Sequence, residues 1–250
     1  MKKLPLILKF IAISTALAVI TGCGSSSSIK RDAAFSPEKW FADADKQLSD
    51  KYYDEARELL TEVKNRDASK KHAPIAQLKI ADTYIKEGNI DIAIEEYRRF
   101  IEQYPENQYA SYAQYQIAMA YFSQIESPDR GAGVAQKALR EFMILKQRFP
   151  RNPYREIVDL RIDRTKNTIA EGELMIGQFY YKKDAFSAAI GRLENLLQIF
   201  PEFRRADEAM FLIAESYRGL KQQEKAKEMY AELLRKYPES KFVKEAKKRL

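Results

Sequence analysis

Side chains that could carry out chemistry are scarce in this chain. Its 250 residues include one cysteine, Cys23, and one histidine, His72. A single cysteine cannot form an internal disulfide. With only one cysteine and one histidine, a Cys/His metal site is unfavoured, and so is a Cys-His or Ser-His-Asp catalytic group. His72 lies in a polar stretch, residues 70–74, which favours a solvated loop residue over a catalytic base. The sequence therefore predicts a protein that is not an enzyme.

The abundant carboxylates favour an ion-paired surface over an acid–base site. Glu95 is followed three and four residues later by Arg98 and Arg99, the spacing at which opposite charges pair along a helix. A phosphate-binding loop is not predicted either. Residues 130–133, Arg-Gly-Ala-Gly, follow no predicted strand and are interpreted as a loop.

Cys23 follows a segment typical of a secretory signal. Residues 1–9 contain three lysines, and residues 10–20 are uncharged and mostly apolar, too short to span a bilayer as a helix of about 20 residues. The segment ends in Ile20-Thr21-Gly22-Cys23, which resembles the bacterial lipobox. We therefore expect residues 1–22 to be a signal peptide and Cys23 to carry diacylglycerol and an N-acyl chain. A free thiol beside an ordinary cleavage site is the alternative.

Composition indicates a helical protein with a mildly basic mature form. Gly and Pro together number 18, a low share, whereas charged residues make up 32% and aromatic residues 12%. A disordered chain would lack these aromatics. Removing residues 1–22 removes three lysines, so the net charge falls from +7 to +4, too little to suggest nucleic acid. The Ser-rich residues after Cys23 predict a flexible tether over residues 23–36.

A repeat of small residues occupies the rest of the chain. Each repeat has one small residue, a second one twelve residues later (twenty in the third repeat), and a large apolar side chain four residues beyond. Small side chains let two helices of a hairpin approach closely, so the pattern predicts an all-α fold: a tetratricopeptide-like superhelix of five helical hairpins with a C-terminal cap helix. The three series are Ala44, Ala81, Ala118, Gly177 and Ala214; Ala56, Ala93, Ala138, Ala189 and Ala226; and Leu60, Tyr97, Phe142, Leu193 and Tyr230.

The irregular spacings predict several local features. An insertion is expected near residues 125–133, and residues 154–181 are expected to form one long helix. Ser36 and Asn152 each precede a proline, an arrangement typical of the start of a helix. The Lys-rich residues 240–250 predict the cap helix.

An aromatic-Pro-x-(Asn/Ser)-x-aromatic sequence recurs after the second, third and fifth repeats. With the lipobox, the Ser-rich tether and the insertion, it makes the whole chain resemble the BamD (ComL) family of outer-membrane lipoproteins. Residues 65–70 depart from that pattern after the first repeat, which leaves any family contact there in doubt. The three copies are Tyr104-Pro105-Glu106-Asn107-Gln108-Tyr109, Phe149-Pro150-Arg151-Asn152-Pro153-Tyr154 and Tyr237-Pro238-Glu239-Ser240-Lys241-Phe242.

The resemblance implies a scaffold of the β-barrel assembly machine, anchored by lipid in the periplasmic leaflet of the outer membrane and needing no cofactor. Its implied partners are the periplasmic domains of the barrel subunit, other assembly lipoproteins and unfolded outer-membrane proteins. Residues 37–126 would face substrate, and residues 127–250 would dock on the barrel subunit. Arg192 matches a family position in the docking half; the alternative is a solvated Arg paired with Glu194 or Glu224.

An apolar wall formed by the first helix of each hairpin could hold an extended peptide. Tyr115 and Phe122 are seven residues apart and therefore share a face, which favours their exposure. Packing between helices is an equally good interpretation for each position. The candidates are Phe41, Leu78, Ile85, Tyr115 and Phe122.

Two other functional classes are less favoured by the sequence. A periplasmic repeat adaptor in envelope constriction or peptidoglycan maintenance would share the aromatic-Pro sequence, although the N-terminal coiled coil typical of such proteins is not predicted here. A repeat-bearing cell-wall hydrolase is rejected, because the repeats leave no segment that could form a catalytic domain.

Overall fold

The computed structural model describes residues 35–250, and this part of the chain contains eleven α-helices and no β-strand. The predicted signal peptide, Cys23 and most of the predicted tether lie outside the described residues. The helices are α1 (Pro37–Ser49), α2 (Tyr53–Arg66), α3 (Ala73–Glu87), α4 (Ile90–Gln103), α5 (Ala110–Ser123), α6 (Pro128–Arg148), α7 (Arg155–Lys182), α8 (Phe186–Ile199), α9 (Ala206–Gly219), α10 (Gln223–Lys236) and α11 (Val243–Arg249).

The helices pack in chain order. The ten longer helices form five antiparallel hairpins, each hairpin packs on the next, and the short α11 covers α10. The core is accordingly a row of apolar clusters between neighbouring helices. The predicted all-α fold of five hairpins and a cap helix is confirmed.

The repeated small residues lie where the helices cross. The four alanines and one glycine of the first series and the five alanines of the second are all buried. The third series is buried as well, with Tyr97, Phe142, Leu193 and Tyr230 fully enclosed. A small side chain on each helix therefore sets the helix–helix distance, and a large one fills the adjacent space.

Two glycines of α7 lie where neighbouring helices approach closely. A Cβ atom built on Gly177 would lie 2.3 Å from Cδ2 of Leu193 in α8. A Cβ atom on Gly172 would lie 2.7 Å from the backbone oxygen of Pro128, the first residue of α6. Both distances are shorter than van der Waals contact, so these two crossings depend on the missing methyl group.

The recurring aromatic-Pro sequences form the joints that follow the second, third and fifth hairpins. In each joint the Asn or Ser side chain accepts a hydrogen bond from the backbone N–H of the residue two positions later, which lies just before the next helix. The acceptors are Asn107 for Tyr109 at 2.9 Å, Asn152 for Tyr154 at 2.9 Å and Ser240 for Phe242 at 3.2 Å.

Asp67 replaces this device at the first joint, where the sequence departs from the pattern. Its carboxylate accepts the backbone N–H groups of Ser69 at 3.2 Å, His72 at 2.5 Å and Ala73 at 2.9 Å. One side chain therefore satisfies several donors at the start of α3.

Three of the predicted local features concern the lengths and the starts of helices. The long helix is confirmed as α7, with 28 residues. The cap helix is confirmed as α11, although it begins only at Val243. Pro37 is the first residue of α1 as predicted, but α7 begins at Arg155 because Asn152 forms the joint described above.

The prediction of a loop at residues 130–133 is wrong. These residues lie in the first turns of α6, which has 21 residues where α4, α8 and α10 have 14. Gly131 is buried against Ile125, and a Cβ atom there would lie 3.2 Å from its Cγ2 atom. The glycine thus serves close packing within a helix.

We predict that Gly177→Ala destabilises the protein. The added methyl group would overlap Leu193, which costs about 1–3 kcal/mol. We expect this cost to exceed the gain from the higher helix preference of alanine over glycine. Gly191→Ala in α8 is the matched control, since its Cβ atom would meet nothing within 4 Å, and we expect it to add about 0.5–1 kcal/mol. Chemical denaturation of both variants measures the difference, and equal effects would contradict the close crossing.

We predict that Asp67→Ala lowers the free energy of unfolding at pH 7 by about 2 kcal/mol, because several helix-start N–H groups lose their acceptor. In the folded protein burial raises the pKa of Asp67, but hydrogen bonds from Ser69, Ala73 and His72 outweigh it and lower the pKa from 3.8 to about 2. A lowered folded-state pKa stabilises the fold above about pH 4, and this stabilisation is lost as the pH falls towards about 2.

The measurement is denaturant unfolding of the wild type and of Asp67→Ala at several pH values. The gap between them should narrow between about pH 4 and pH 2. Asp50→Ala, at an exposed position, is the control and should show a small gap throughout. A gap for Asp67→Ala that is the same at both ends of the range would argue against the proposed cap.

Candidate functional site

The first helices of successive hairpins face one another. Nζ of Lys79 in α3 lies 2.6 Å from Oδ1 of Asp45 in α1. The Tyr112 hydroxyl in α5 donates to Asp82 in α3 at 2.9 Å. Farther along, Gln178 in α7 donates to Glu208 in α9 at 2.7 Å. We refer to the surface formed by the side chains of α1, α3, α5, α7 and α9 as the first-helix wall.

The N-terminal candidates of the predicted peptide groove differ in exposure. Phe41 is half-buried and its ring lies 6.2 Å from that of His72. Ile85 is half-buried and lines a cavity of the wall. The structure removes Leu78 from the set, because this side chain is 5% exposed and packs in the core between α3 and α4.

The cavity beside Ile85 has a carboxylate in its lining. It has a volume of about 230 Å³, and Leu48, Lys79, Lys86 and Asp82 also line it. Asp82 accepts hydrogen bonds from the hydroxyls of Tyr97 and Tyr112. Burial raises the pKa of Asp82, although both hydroxyls and the two lysines act in the opposite direction.

The fifth hairpin contains the same tyrosine–carboxylate pair in a different charge environment. Tyr230 donates to Glu215, at positions equivalent to Tyr97 and Asp82. There Arg218 lies 2.6 Å and Arg249 3.5 Å from the carboxylate oxygens. Burial raises the pKa of Glu215, but Arg218, Tyr230 and Arg249 outweigh it and leave the pKa lowered.

Burial of the tyrosine is therefore a structural device that both hairpins share, whereas the charge around the carboxylate differs. In the part of the chain that the structure describes, no cation lies within 4 Å of Asp82. The cavity of the second hairpin thus presents a polar group to a ligand between the apolar side chains of Leu48 and Ile85.

Tyr115 and Phe122 are both half-buried side chains of the wall. The Tyr115 ring stacks on Tyr154 at the start of α7, with ring centroids 4.2 Å apart. Phe122 lies beneath the guanidinium groups of Arg161 and Arg164 of α7, at 5.1 and 5.6 Å from its ring centroid. Sharing a face, as predicted, has placed both rings against α7 and left each of them partly open.

Arg192 forms an ion pair across two helices. Its Nη1 atom lies 2.9 Å from Oε2 of Glu173 in α7, and its side chain is 39% exposed. The alternative partners suggested by the sequence are engaged elsewhere: Glu194 accepts the Tyr217 hydroxyl, and Glu224 lies 3.7 Å from Lys227. Arg192 is therefore bound to its own chain while remaining accessible.

An exposed apolar surface lies beside this ion pair. Met175, Ile176 and Phe179 of α7 are all exposed, Phe179 at 57%, and we refer to these three residues as the C-terminal apolar patch. They line a cavity of about 250 Å³ together with Glu173. Contiguous exposed apolar side chains next to a charge pair are typical of a protein–protein docking surface.

Neither a metal centre nor a membrane-spanning helix is found in residues 35–250. No cluster of three or more His, Cys, Asp or Glu side chains there could hold a metal ion. None of the helices is long and apolar enough to cross a bilayer. His72 lies at the start of α3, where its backbone N–H is bound by Asp67.

A family model described as YfiO, outer membrane lipoprotein, matches residues 33–231 of this sequence. The chain belongs to this family of lipoproteins. The match covers all five hairpins except the end of the last, and the resemblance predicted from the lipobox and the joint sequences is confirmed.

Curated relatives match this chain over different extents, two of the three below over most of their own length. "Outer membrane protein assembly factor BamD" of Neisseria meningitidis serogroup B is 25% identical over 249 residues, covering 94% of this chain and 93% of the relative. The protein of the same name from Vibrio cholerae is 25% identical over 215 residues, covering 82% and 88%. The one from Caulobacter vibrioides is 34% identical over 146 residues, covering 58% and 48%.

Solved repeat proteins are more distant. The TPR2AB domain of yeast Sti1 in complex with an Hsp90 peptide is 16% identical, covers 81% of this chain and 78% of its own, and has a TM-score of 0.46. TTC0263 of Thermus thermophilus is 18% identical, with coverage of 86% and 98% and a TM-score of 0.35. These values carry no argument about function, and the fold follows from the helices described above.

Sequence reasoning missed the two features of α7 that stand out in the site. Neither the placement of Arg161 and Arg164 over one ring nor the C-terminal apolar patch is predicted from the sequence. The sequence does contain a signal for the two arginines, because neither has an acidic residue three or four positions away. Their position over Phe122, however, depends on how α7 lies against α5.

Proposed function

We propose that this protein is a non-enzymatic scaffold and receptor lipoprotein of the β-barrel assembly machine, which helps to insert β-barrel proteins into the outer membrane. The observation that carries the proposal is the match to the YfiO family and to assembly factors over almost the full length of the chain. The stack of hairpins agrees with it, because each hairpin adds surface for binding polypeptide.

The N-terminal repeats, residues 37–126, are proposed to receive unfolded outer-membrane proteins. The support is the first-helix wall, which offers half-buried Phe41, Ile85, Tyr115 and Phe122 and the cavity that contains Asp82. Apolar and aromatic contacts separated by polar groups suit an extended polypeptide, since alternate side chains can enter pockets while the backbone makes hydrogen bonds.

The C-terminal repeats, residues 127–250, are proposed to dock on the periplasmic domains of the barrel subunit and to contact other assembly lipoproteins. The support is the C-terminal apolar patch next to Arg192 and Glu173. Apolar side chains at the centre would supply buried area, and the accessible guanidinium of Arg192 would bind an acidic side chain of the partner.

Anchoring is proposed to occur through Cys23. Diacylglycerol and an N-acyl chain on this residue would hold the protein in the periplasmic leaflet of the outer membrane, since several acyl chains anchor a protein far more firmly than one. The Ser-rich residues that follow would tether the hairpins to the membrane. The proposal includes neither a cofactor nor a nucleic-acid partner.

The alternative, a periplasmic adaptor in envelope constriction or peptidoglycan maintenance, has less support. The curated relatives reported above are named as outer membrane protein assembly factors. We therefore retain only the assembly role.

We predict that Arg192→Glu reduces co-purification of the barrel subunit from detergent-solubilised outer membranes at least tenfold, because a buried interface loses a charge-assisted contact and gains a repulsive one. Lys146→Glu is the matched control: its side chain is 43% exposed and also pairs across helices, with Asp159 at 2.5 Å. It should leave the yield of the complex unchanged.

A charge exchange separates docking from folding. Arg192→Glu combined with Glu173→Arg restores an ion pair within the chain but moves the positive charge to α7. The docking role predicts that this double variant folds normally and still loses the barrel subunit. Recovery of normal co-purification would assign Arg192 a purely structural role and contradict its proposed contact.

We predict that Cys23→Ser gives a folded protein that leaves the outer-membrane fraction, because the acyl chains have lost their attachment site. Fractionation of cells followed by a high-salt wash measures this, with circular dichroism of the purified variant as a control for folding. Retention of Cys23→Ser in the washed outer-membrane fraction would contradict the lipid anchor.

A further inference from the structure

Two arginines of α7 have no carboxylate within ion-pair distance in residues 35–250, although several other arginines do. Ion pairs with N–O distances of 2.5–3.0 Å occupy Arg57, Arg98, Arg99, Arg192, Arg205, Arg218 and Arg249. Within residues 35–250 the guanidinium groups of Arg161 and Arg164 instead contact one ring, that of Phe122. Residues three and four positions from either arginine are uncharged or are the other arginine.

This arrangement is electrostatically incomplete. Two cations one helical turn apart repel each other, and cation–π contacts with a partly exposed ring offset that repulsion only in part. In addition, Nε of the half-buried Arg161 is shielded from solvent and has no hydrogen-bond partner in the described residues. A buried donor without an acceptor is costly, and an anion supplied by a ligand would remove both costs.

Arg218 serves as an internal comparison. Its Nε is also buried and without a hydrogen bond, but its Nη2 atom lies 2.6 Å from Glu215. The charge of Arg218 is therefore satisfied within the chain. Among the described residues, only the pair over Phe122 combines a buried donor that lacks a hydrogen bond with charge that lacks an ion pair.

We propose that Arg161 and Arg164, with the ring of Phe122 between α5 and α7, form a carboxylate-binding site for an extended polypeptide. Guanidinium groups bind carboxylates through paired N–H donors. The Phe122 ring and the stacked Tyr115 and Tyr154 rings next to it offer flat apolar surfaces for neighbouring side chains of the same polypeptide. The inference rests on the proposed polypeptide-receiving role of the first-helix wall. It extends that role from residues 37–126 to the two arginines of α7 beside Phe122, and it adds the chemical group that is recognised.

A polypeptide carboxylate fits this place better than a lipid headgroup. Basic residues that bind a membrane surface project freely into solvent. In this pair Arg164 is exposed, but Arg161 is half-buried beside α5. The carboxylate can belong to an Asp or Glu side chain or to the C-terminus of the polypeptide, and the experiment distinguishes the two.

The test uses the full-length protein in detergent micelles and a fluorescent twelve-residue peptide of alternating polar and apolar residues, with one internal Asp and a C-terminal Phe bearing a free carboxyl group. Arg161→Gln with Arg164→Gln should weaken binding by about ten- to a hundredfold, the effect of losing charge-assisted hydrogen bonds. Arg155→Gln with Lys166→Gln removes the same charge from exposed positions of α7 and should change the affinity less than threefold.

The source of the carboxylate follows from two further peptides. Amidating the C-terminus removes the terminal carboxylate, and Asp→Asn removes that of the side chain. If one of these changes makes the wild type and the Arg161/Arg164 double variant bind equally, the carboxylate that was removed is the one that the site binds. Either outcome supports the inference. Equal binding of the unmodified peptide to the wild type and this variant would overturn it. Anionic phosphatidylglycerol vesicles that bind the wild type but not the variant, with no difference for any peptide, would also overturn it.

Stability and complex formation serve as separate readouts. Because the two arginines are not neutralised within the chain, their double substitution should leave the unfolding temperature unchanged or raise it. If this variant still co-purifies with the barrel subunit but binds the peptide normally, the carboxylate site is refuted while the proposed function stands. Loss of the barrel subunit from the wild-type preparation would instead refute the proposed function.

Discussion

Close approach of paired helices is the constraint on which the rest of this structure depends. The small residues of both helices are buried in every hairpin, as Ala81 and Ala93 are in the second. A larger side chain would separate the helices and open the apolar clusters that hold one hairpin on another. Gly177, which lies against Leu193, shows how little room remains.

Packing of neighbours in chain order divides the side chains by role. The second helices supply much of the buried core, and the joints supply the hydrogen bonds at the turns. The first helices also present side chains to one another from hairpin to hairpin. Charged groups there can lack an ion-pair partner within residues 35–250, as Asp82 and Arg161 do, although two tyrosine hydroxyls donate hydrogen bonds to Asp82. Such groups are available to a ligand, which is how a repeat scaffold acquires binding specificity.

How much could be predicted from sequence depended on the range of the interaction. The hairpins and α7 were predictable, because small residues and helix-terminating prolines leave a period that is visible in the chain. The helical position of Gly131 was not, since a glycine needed for close packing looks the same as a glycine in a loop. The burial of Leu78 and the two guanidinium groups over Phe122 depend on how neighbouring helices are rotated, which no local pattern records.

The central claim is that the two halves of this stack bind different proteins. Site-specific photocross-linking in intact cells tests it most directly, with the cross-linker placed at Tyr115 in one strain and at Arg192 in another. The account predicts cross-links from Tyr115 to newly exported outer-membrane proteins and from Arg192 to the barrel subunit. The same set of partners from both positions, or none from Tyr115 during active export, would contradict it.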